Sequence, residues 1–301
     1  MAEKQEAQGF RPELARWRQL PSPAWLANLL AGLPVLAAPT GDWRLFEVGC
    51  NGAADFAAGH IPGAAYIDTN RLERQPLWNK VSDCALLQLL LENGVRHDTT
   101  VILYGRSSLA AARAAHLMLY AGVADVRLLD GGLDGWRLAG HALEQGAATV
   151  PQPVQEFGAP FPARPDFLVD TAQVRQLLQQ ADGALVSIRT WGEHTGATSG
   201  YAYIDACGDI PGARWGRAGN DGDVHDMSAY QHADGTMKPQ AEIRALWQAA
   251  GIKPCQRTAF YCGTGWRASL AFFYAWLMDW QRISVYDGGW CEWSRVHTVR
   301  E

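Results

Sequence analysis

The chain has 301 residues, 48% of them hydrophobic and 19% charged, and a net charge of −5. That composition belongs to globular domains and excludes a disordered chain. An acidic balance without a basic stripe excludes a nucleic-acid binder, while small anions held by local arginines stay open.

In chain order, the polar start MAEKQEAQGF has no apolar h-region, and no apolar run is long enough for a membrane helix. PAWLANLLAG reads as an amphipathic helix, LFEVG (45–49) as a strand, and a polar loop then ends at HIPGA (60–64). A helix follows, then the strand VILYG, a long helix, the strand VRLLD and the turn LDGGLDGW (129–136). VPQPVQEFGAPFPARP has no apolar periodicity and reads as a semi-rigid linker. The pattern then repeats: DTAQVRQLLQQADG, LVSIR (185–189), DIPGA (209–213), TAFYC, a long helix, ISVYD and YDGGWCEW (286–293). One constant offset pairs Gly94 with Gly251, Tyr104 with Tyr261, Asp130 with Asp287 and Trp136 with Trp293. The second copy carries an insertion between Thr190 and Gly208. Strands alternating with helices predict an α/β fold, here two tandem domains, each a parallel sheet flanked by helices. The expected bounds are 20–147 for the first domain, 148–165 for the proline-rich linker and 166–301 for the second domain.

The six cysteines form no C-x-x-C and stand beside no spaced histidine pair, so neither a zinc site nor a disulfide framework is expected. Reduced thiols fit a cytoplasmic protein, or a periplasmic one if a leader was removed. One cysteine stands apart, in FYCGTGWRAS (260–269), between a strand and a helix expected to begin near Ala268. Gly263 and Gly265 let the loop curl with its amides inward, and the helix start adds unpaired N–H groups and the positive end of its dipole. An anion at the centre of that cradle is stabilised, which makes Cys262 a candidate nucleophile. As a bare residue type, a lone cysteine is more often a small buried hydrophobe. The repeat argues otherwise, because the matching position in the first copy is Gly105. A cysteine-dependent phosphatase would place an arginine after five intervening residues, where this chain has Ala268; Arg267 comes one residue early.

The IPGA segment, the Cys-x-x-Gly loop and the Asp-Gly-Gly turn followed by tryptophan together resemble the tandem-domain rhodanese family of thiosulfate and 3-mercaptopyruvate sulfurtransferases. CGTGWR with YDGGW after it is similar to a bacterial subgroup of multidomain rhodaneses. The resemblance runs over nearly the whole chain. It implies two rhodanese-like domains, the first catalytically silent, and a Cys262 persulfide cradled by Gly263, Thr264, Gly265, Trp266 and Arg267. It also implies that Arg189 faces the substrate anion, where the first copy has Gly49. The acidic residue usual two positions earlier is Ser187 here and Glu47 in the first copy. Sulfur would come from a small anionic donor, thiosulfate or 3-mercaptopyruvate, and pass to a thiol or cyanide, with no metal or organic cofactor. A relay fed by a protein sulfur donor and a non-catalytic scaffold are the alternatives. Trp266 is expected to narrow the mouth of the site and Arg267 to charge its rim, with Arg214 and Arg217 as further sources of charge. Asp130 and Asp287 are expected to shape their Gly-Gly turns, and His60 to hydrogen-bond local backbone.

Overall fold

The computed structural model describes residues 9–298, which divide into two compact units. The first takes the chain up to Glu73, Val81–Pro165 and Ala233–Met237; the second takes Arg74–Lys80, Asp166–His232 and the chain from Lys238 on.

In the first unit, strands β1 (Trp43–Gly49), β2 (Ala65–Asp68), β3 (Thr100–Tyr104) and β4 (Asp125–Leu128) lie in the order β2-β1-β3-β4. All neighbours are parallel, with Leu45 opposite Ile102 and Phe46 opposite Ala65. The central strand β3 is buried at every position, as a parallel strand covered on both faces requires. Helices α1 (Pro23–Leu30), α2 (Ala53–Ala58), α3 (Asp83–Glu92), α4 (Ser108–Ala121) and α5 (Gly132–Leu138) supply the cover. Helix α1 starts where Ser22 accepts from the Trp25 amide and Pro23 takes the first helical position. Trp25, Leu26, Phe56, Ile102 and Trp136 share one core cluster.

The second unit repeats the plan with β5 (Leu168–Val169), β6 (Gly183–Ser187), β7 (Arg214–Trp215), β8 (Arg257–Tyr261) and β9 (Ile283–Tyr286), in the parallel order β5-β9-β8-β6-β7. Its helices are α6 (Thr171–Leu178), α7 (Trp191–Thr195), α8 (Gln240–Ala249), α9 (Trp266–Leu277) and α10 (Gly289–Thr298). Nearly all of α9 is buried, so its first turn is fixed by packing on every side. Tyr261, Tyr286, Trp290 and Trp293 belong to the core of this unit.

Three expectations change here. The proline-rich stretch is tied along the first unit, because Val154 donates to Leu91, Ala163 to Ala121 and Arg164 to Tyr120 through backbone N–H groups. Its Phe157 is buried and packs edge-on against Phe161. The two aspartates of the Gly-Gly turns reach beyond those turns to hold distant backbone. Asp130 accepts from the Met237 amide and Asp287 from the Lys80 amide, both at 2.8 Å. The turns are already closed by backbone bonds, such as Gly135 N–H to Gly131 C=O at 2.8 Å, so each carboxylate is left to pin a distant strand of chain. Helix α9 also begins two residues earlier than expected. His60 does bond local backbone, its Nδ1 lying 2.8 Å from the Phe56 carbonyl.

Burial pushes the Asp130 carboxyl up to about 7, against the Met237 amide and the Arg11 charge, which favour ionisation; Asp234 and Glu13 add to the rise. A folded-state value raised above the unfolded one means stability present at low pH and lost as pH rises through about 7. Asp130→Asn is therefore expected to flatten the fall in melting temperature between about pH 4 and 7. Parallel pH-dependent falls in the two proteins would refute this.

Candidate active site

Strands β6 and β8 lie side by side with Ser187 opposite Tyr261, and Ile188 N–H donates to the Tyr261 carbonyl at 2.7 Å. Where both strands end, Cys262 and Arg189 are therefore neighbours. The chain passes from Tyr261 through Cys262, Gly263, Thr264 and Gly265 directly into α9. The first turn of α10 holds this loop: Trp290 N–H donates to the Cys262 carbonyl at 2.8 Å and Cys291 N–H to the Gly263 carbonyl at 3.0 Å. With those carbonyls drawn away, Gly265 N–H donates to Cys262 Sγ at 3.2 Å. Any Cβ at Gly289 would stand 2.6 Å from both held carbonyl oxygens, so the second glycine of the Asp-Gly-Gly turn is what permits the clamp. The first unit keeps the same clamp, Leu133 N–H on Gly105 C=O at 3.1 Å, without a sulfur to serve.

Cys262 is only 1% exposed. Beneath the loop lies a buried polar cluster whose centre, Glu193, is fully buried. Its carboxylate accepts two bonds from Arg267, Nη1 to Oε2 at 2.7 Å and Nη2 to Oε1 at 2.8 Å. It also accepts from Arg189 Nε at 3.3 Å and the Thr190 amide at 3.0 Å. Arg189 Nη1 donates to the Gly208 carbonyl at 2.6 Å and lies 3.3 Å from Asp209. Its guanidinium stands 5.2 Å over the Trp290 ring. Asp209 also accepts from Ser187 at 2.7 Å, from Tyr261 and from His194 Nδ1 at 2.5 Å. Burial opposes ionisation of Glu193, but the hydrogen bonds and charge of Arg267, with the charge of Arg189, hold it below the usual carboxylate range. Arg267 stays charged despite its burial because Tyr201, Glu193 and Cys262 all favour the cation.

Two arginines against two carboxylates leave this cluster neutral as a set. Against the sulfur itself stands the backbone amide of Gly265, directly before the first turn of α9. Two donors of this cluster are buried with no hydrogen-bond partner, Arg189 Nη2 and Arg267 Nε.

The structure brings Cys262, Gly263, Thr264, Gly265, Arg267 and Arg189 together around the loop. Arg267 is not the expected rim charge. As the second residue of α9 it turns inward, 1% exposed, because Glu193 offers a bidentate partner there. Trp266 is half-buried, its ring 6.4 Å from that of His225. Arg214 donates to the Gly251 carbonyl and Gln256, and Arg217 lies 5.0 Å over the Trp215 ring, so neither belongs to the cluster. Sequence reasoning missed Glu193, Asp209 and Tyr201. The first two left a signal: Thr190-x-x-Glu193 is a capping box, which the structure forms, and Asp209 stands where the first copy has His60. Tyr201 lies on the insertion and has no counterpart to compare.

Tyr201 explains why residue 263 is glycine. A Cβ there would meet Tyr201 ring atoms at 2.3 Å, while the phenol oxygen accepts from Arg267 Nη2 at 2.7 Å and is held in place. Gly263→Ala is expected to cost about 1–3 kcal/mol of stability through overpacking. In a Tyr201→Ala background the same change should cost almost nothing, a coupling that a double-mutant cycle of unfolding free energies measures.

Among the described residues no group of His, Cys, Asp and Glu is placed to hold a metal ion, and no helix is long and apolar enough to cross a membrane. All six cysteines are free; Cys262 and Cys291 are the buried ones.

Comparison with known proteins accords with this architecture. The chain is 52% identical over 282 residues to the thiosulfate sulfurtransferase YnjE of Escherichia coli, a match covering 94% of this chain and 64% of that protein. The crystal structure of YnjE superposes with a TM-score of 0.91 at 51% identity, covering 94% of this chain and 67% of that one. The sulfur carrier protein TtuD of Thermus thermophilus is 31% identical, over 80% of this chain and 84% of its own. A variant of EanB, solved as a cysteine persulfide in a tetrahedral intermediate state with ergothioneine, gives a TM-score of 0.90 at 38% identity, covering 94% of this chain and 70% of that one. The chain thus spans a little under two thirds of the length of its Escherichia coli relative. The rhodanese-like domain model matches residues 22–139 and again 170–296. Two parallel-sheet units and two matches, one to each repeat, make this chain a member of the rhodanese family with its domain present twice.

Proposed function

We propose that the chain is a sulfurtransferase in which Cys262 carries sulfur as a persulfide. The observation that carries this reading is the loop itself: Cys262 Sγ lies under the Gly265 amide at the start of a buried helix, while the loop carbonyls are tied away. Preorganised donors of this kind stabilise both the attacking thiolate and the anionic outer sulfur of the intermediate. The Cys262 thiolate attacks the outer sulfur of the donor, the donor's bond to that sulfur breaks, and the leaving group departs with the electron pair. Thiosulfate releases sulfite in this step, and 3-mercaptopyruvate would release pyruvate. An acceptor thiol or cyanide then takes the outer sulfur and returns the thiolate. Loop residues Gly263 and Thr264, free of a cationic pair, resemble mercaptopyruvate users, whereas the named relative uses thiosulfate; of the two, thiosulfate is the donor proposed. The spare Nη2 of Arg189 supports a role in holding the donor anion. The first repeat, with Gly105 at the nucleophile position, is proposed to be silent.

Intact mass of the reduced protein after incubation with each donor tests the reading. A gain of one sulfur atom, removed by cyanide and absent in Cys262→Ser, is the expected result, with thiosulfate the more effective donor. No gain from either donor, in protein whose Cys262 still alkylates rapidly, would point instead to sulfur arriving from a protein persulfide; TtuD, a sulfur carrier, is a relative of that kind. An unreactive Cys262 would leave a non-catalytic scaffold.

A further inference from the structure

We propose that the cavity beside Tyr201 is the acceptor site, and that it selects a thiol bearing a positive charge. This rests on the sulfurtransferase reading above. The cavity is about 330 Å³ and is lined by Thr190, Thr198, Ser199, Tyr201, Asp223 and Val224 among others. That space suits a small molecule and not a folded protein. One wall, Thr198 to Ala202, comes from the loop 196–213 between α7 and β7, which corresponds to the much shorter 59–64 between α2 and β2 of the first unit; Asp223 and Val224 come from the chain after β7. The cavity is therefore tied to the copy that has the cysteine.

Tyr201 belongs to the cavity and to the reactive loop alike. Its ring lies against Gly263, its hydroxyl is held by Arg267, and the same side chain walls the cavity. Burial raises the phenol well above its ordinary value against the pull of Arg267, so Tyr201 is a neutral wall. In this proposal the Tyr201 ring, which gives up its Arg267 bond to swing aside, opens the cavity toward the sulfur; Gly200 before it has φ +80°.

The lining sets the charge of the occupant. No lysine or arginine lines the cavity. Both oxygens of Glu193 are taken by Arg267 and Arg189. Asp223 is exposed and in no ion pair among the described residues; Oδ1 accepts from the His225 amide, which leaves Oδ2 open. Asp221 and Asp226 flank it, and both already hold backbone amides, of Gly192 and Asn220. The mouth is negative, so a dianion such as thiosulfate is repelled there while an ammonium group is attracted. Donor and acceptor would thus be recognised by different means: loop amides and Arg189 for the anionic donor, Asp223 for the cationic thiol. In the transfer the acceptor thiolate attacks the outer sulfur of the Cys262 persulfide, the bond to Cys262 Sγ breaks, and its electron pair restores the Cys262 thiolate. The acceptor leaves as a persulfide, and no oxidant is consumed.

The test uses wild-type protein loaded with thiosulfate and then given cysteamine or mercaptoacetate, thiols of similar size and opposite charge. The expected KM for cysteamine is about tenfold below that for mercaptoacetate, a difference of about 1.4 kcal/mol. Asp223→Asn should bring the two KM values together and Asp223→Lys should invert their order. Equal KM values in the wild type, or an unchanged ratio in Asp223→Lys, would overturn the proposal. A Cys262 that, before any thiol is added, neither gains sulfur nor alkylates at neutral pH would overturn the sulfurtransferase reading, and the acceptor site with it.

Discussion

Replacing Glu193 with alanine is expected to destabilise the second unit by about 3–5 kcal/mol, because removing one partner of a buried ion pair leaves the other charge uncompensated. Here the loss is shared by two arginines, Arg189 and Arg267, both essentially without exposure. Arg189 would keep the Asp209 carboxylate at 3.3 Å, whereas Arg267 would keep the Tyr201 hydroxyl, which carries no charge to offset its own. The substitution also removes the Glu193 half of the capping box at the start of α7, leaving the buried Thr190 amide without its acceptor. Glu193→Gln keeps the shape and part of the hydrogen bonding but not the charge, and should fall between the two. The pH dependence has a definite sign. A carboxylate held below its ordinary value contributes stability above about pH 4.5, and that stability is lost as pH falls through its folded-state value. Urea unfolding followed at several pH values reads all of this. A cost under about 1 kcal/mol for the alanine variant would show that water or relaxation satisfies the arginines, since only exposed pairs are worth so little.

Cys262→Ser should lower kcat/KM for sulfur transfer by at least about 10³-fold, the scale on which enzymes fail when their nucleophile is removed. A hydroxyl at this site is not ionised at neutral pH and cannot carry a persulfide. The same change should alter stability by less than about 1 kcal/mol, because the serine oxygen still accepts from the Gly265 amide. Serine at the exposed Cys50, Cys84, Cys207 or Cys255 is expected to leave turnover within about twofold, as surface changes usually do. Residual turnover in Cys262→Ser above a tenth of wild type would mean that sulfur travels by another thiol, and persulfide mapping would then identify it.

Tyr201 and Arg267 show where sequence reading stopped. Its place in the loop put Arg267 two residues after Gly265, yet did not give the direction of its side chain. On the second residue of a helix packed on all sides, direction is decided by what waits beneath, and that is Glu193, far away in sequence. The same applies to Ser187: its missing carboxylate is replaced by Asp209, which reaches the same place from another loop. The proline-rich stretch has the composition of a linker, and only the carbonyls of Leu91, Tyr120 and Ala121 show it to be bound.

Patterns with a period or an internal copy were legible in the sequence alone. Apolar strand runs, helix caps, the two Asp-Gly-Gly turns and the cysteine present in one repeat and absent in the other determined the duplicated α/β plan and the candidate nucleophile. Their causes are local, being backbone conformation, burial on two faces and a loop that needs glycine. The ion cluster beneath Cys262, the clamp on its carbonyls, the arms pinned by Asp130 and Asp287 and the cavity beside Tyr201 were decided only by tertiary structure. Each depends on groups distant in the chain meeting in a medium where an unpaired charge or amide is too costly to leave alone, and no spacing in one dimension encodes such a meeting.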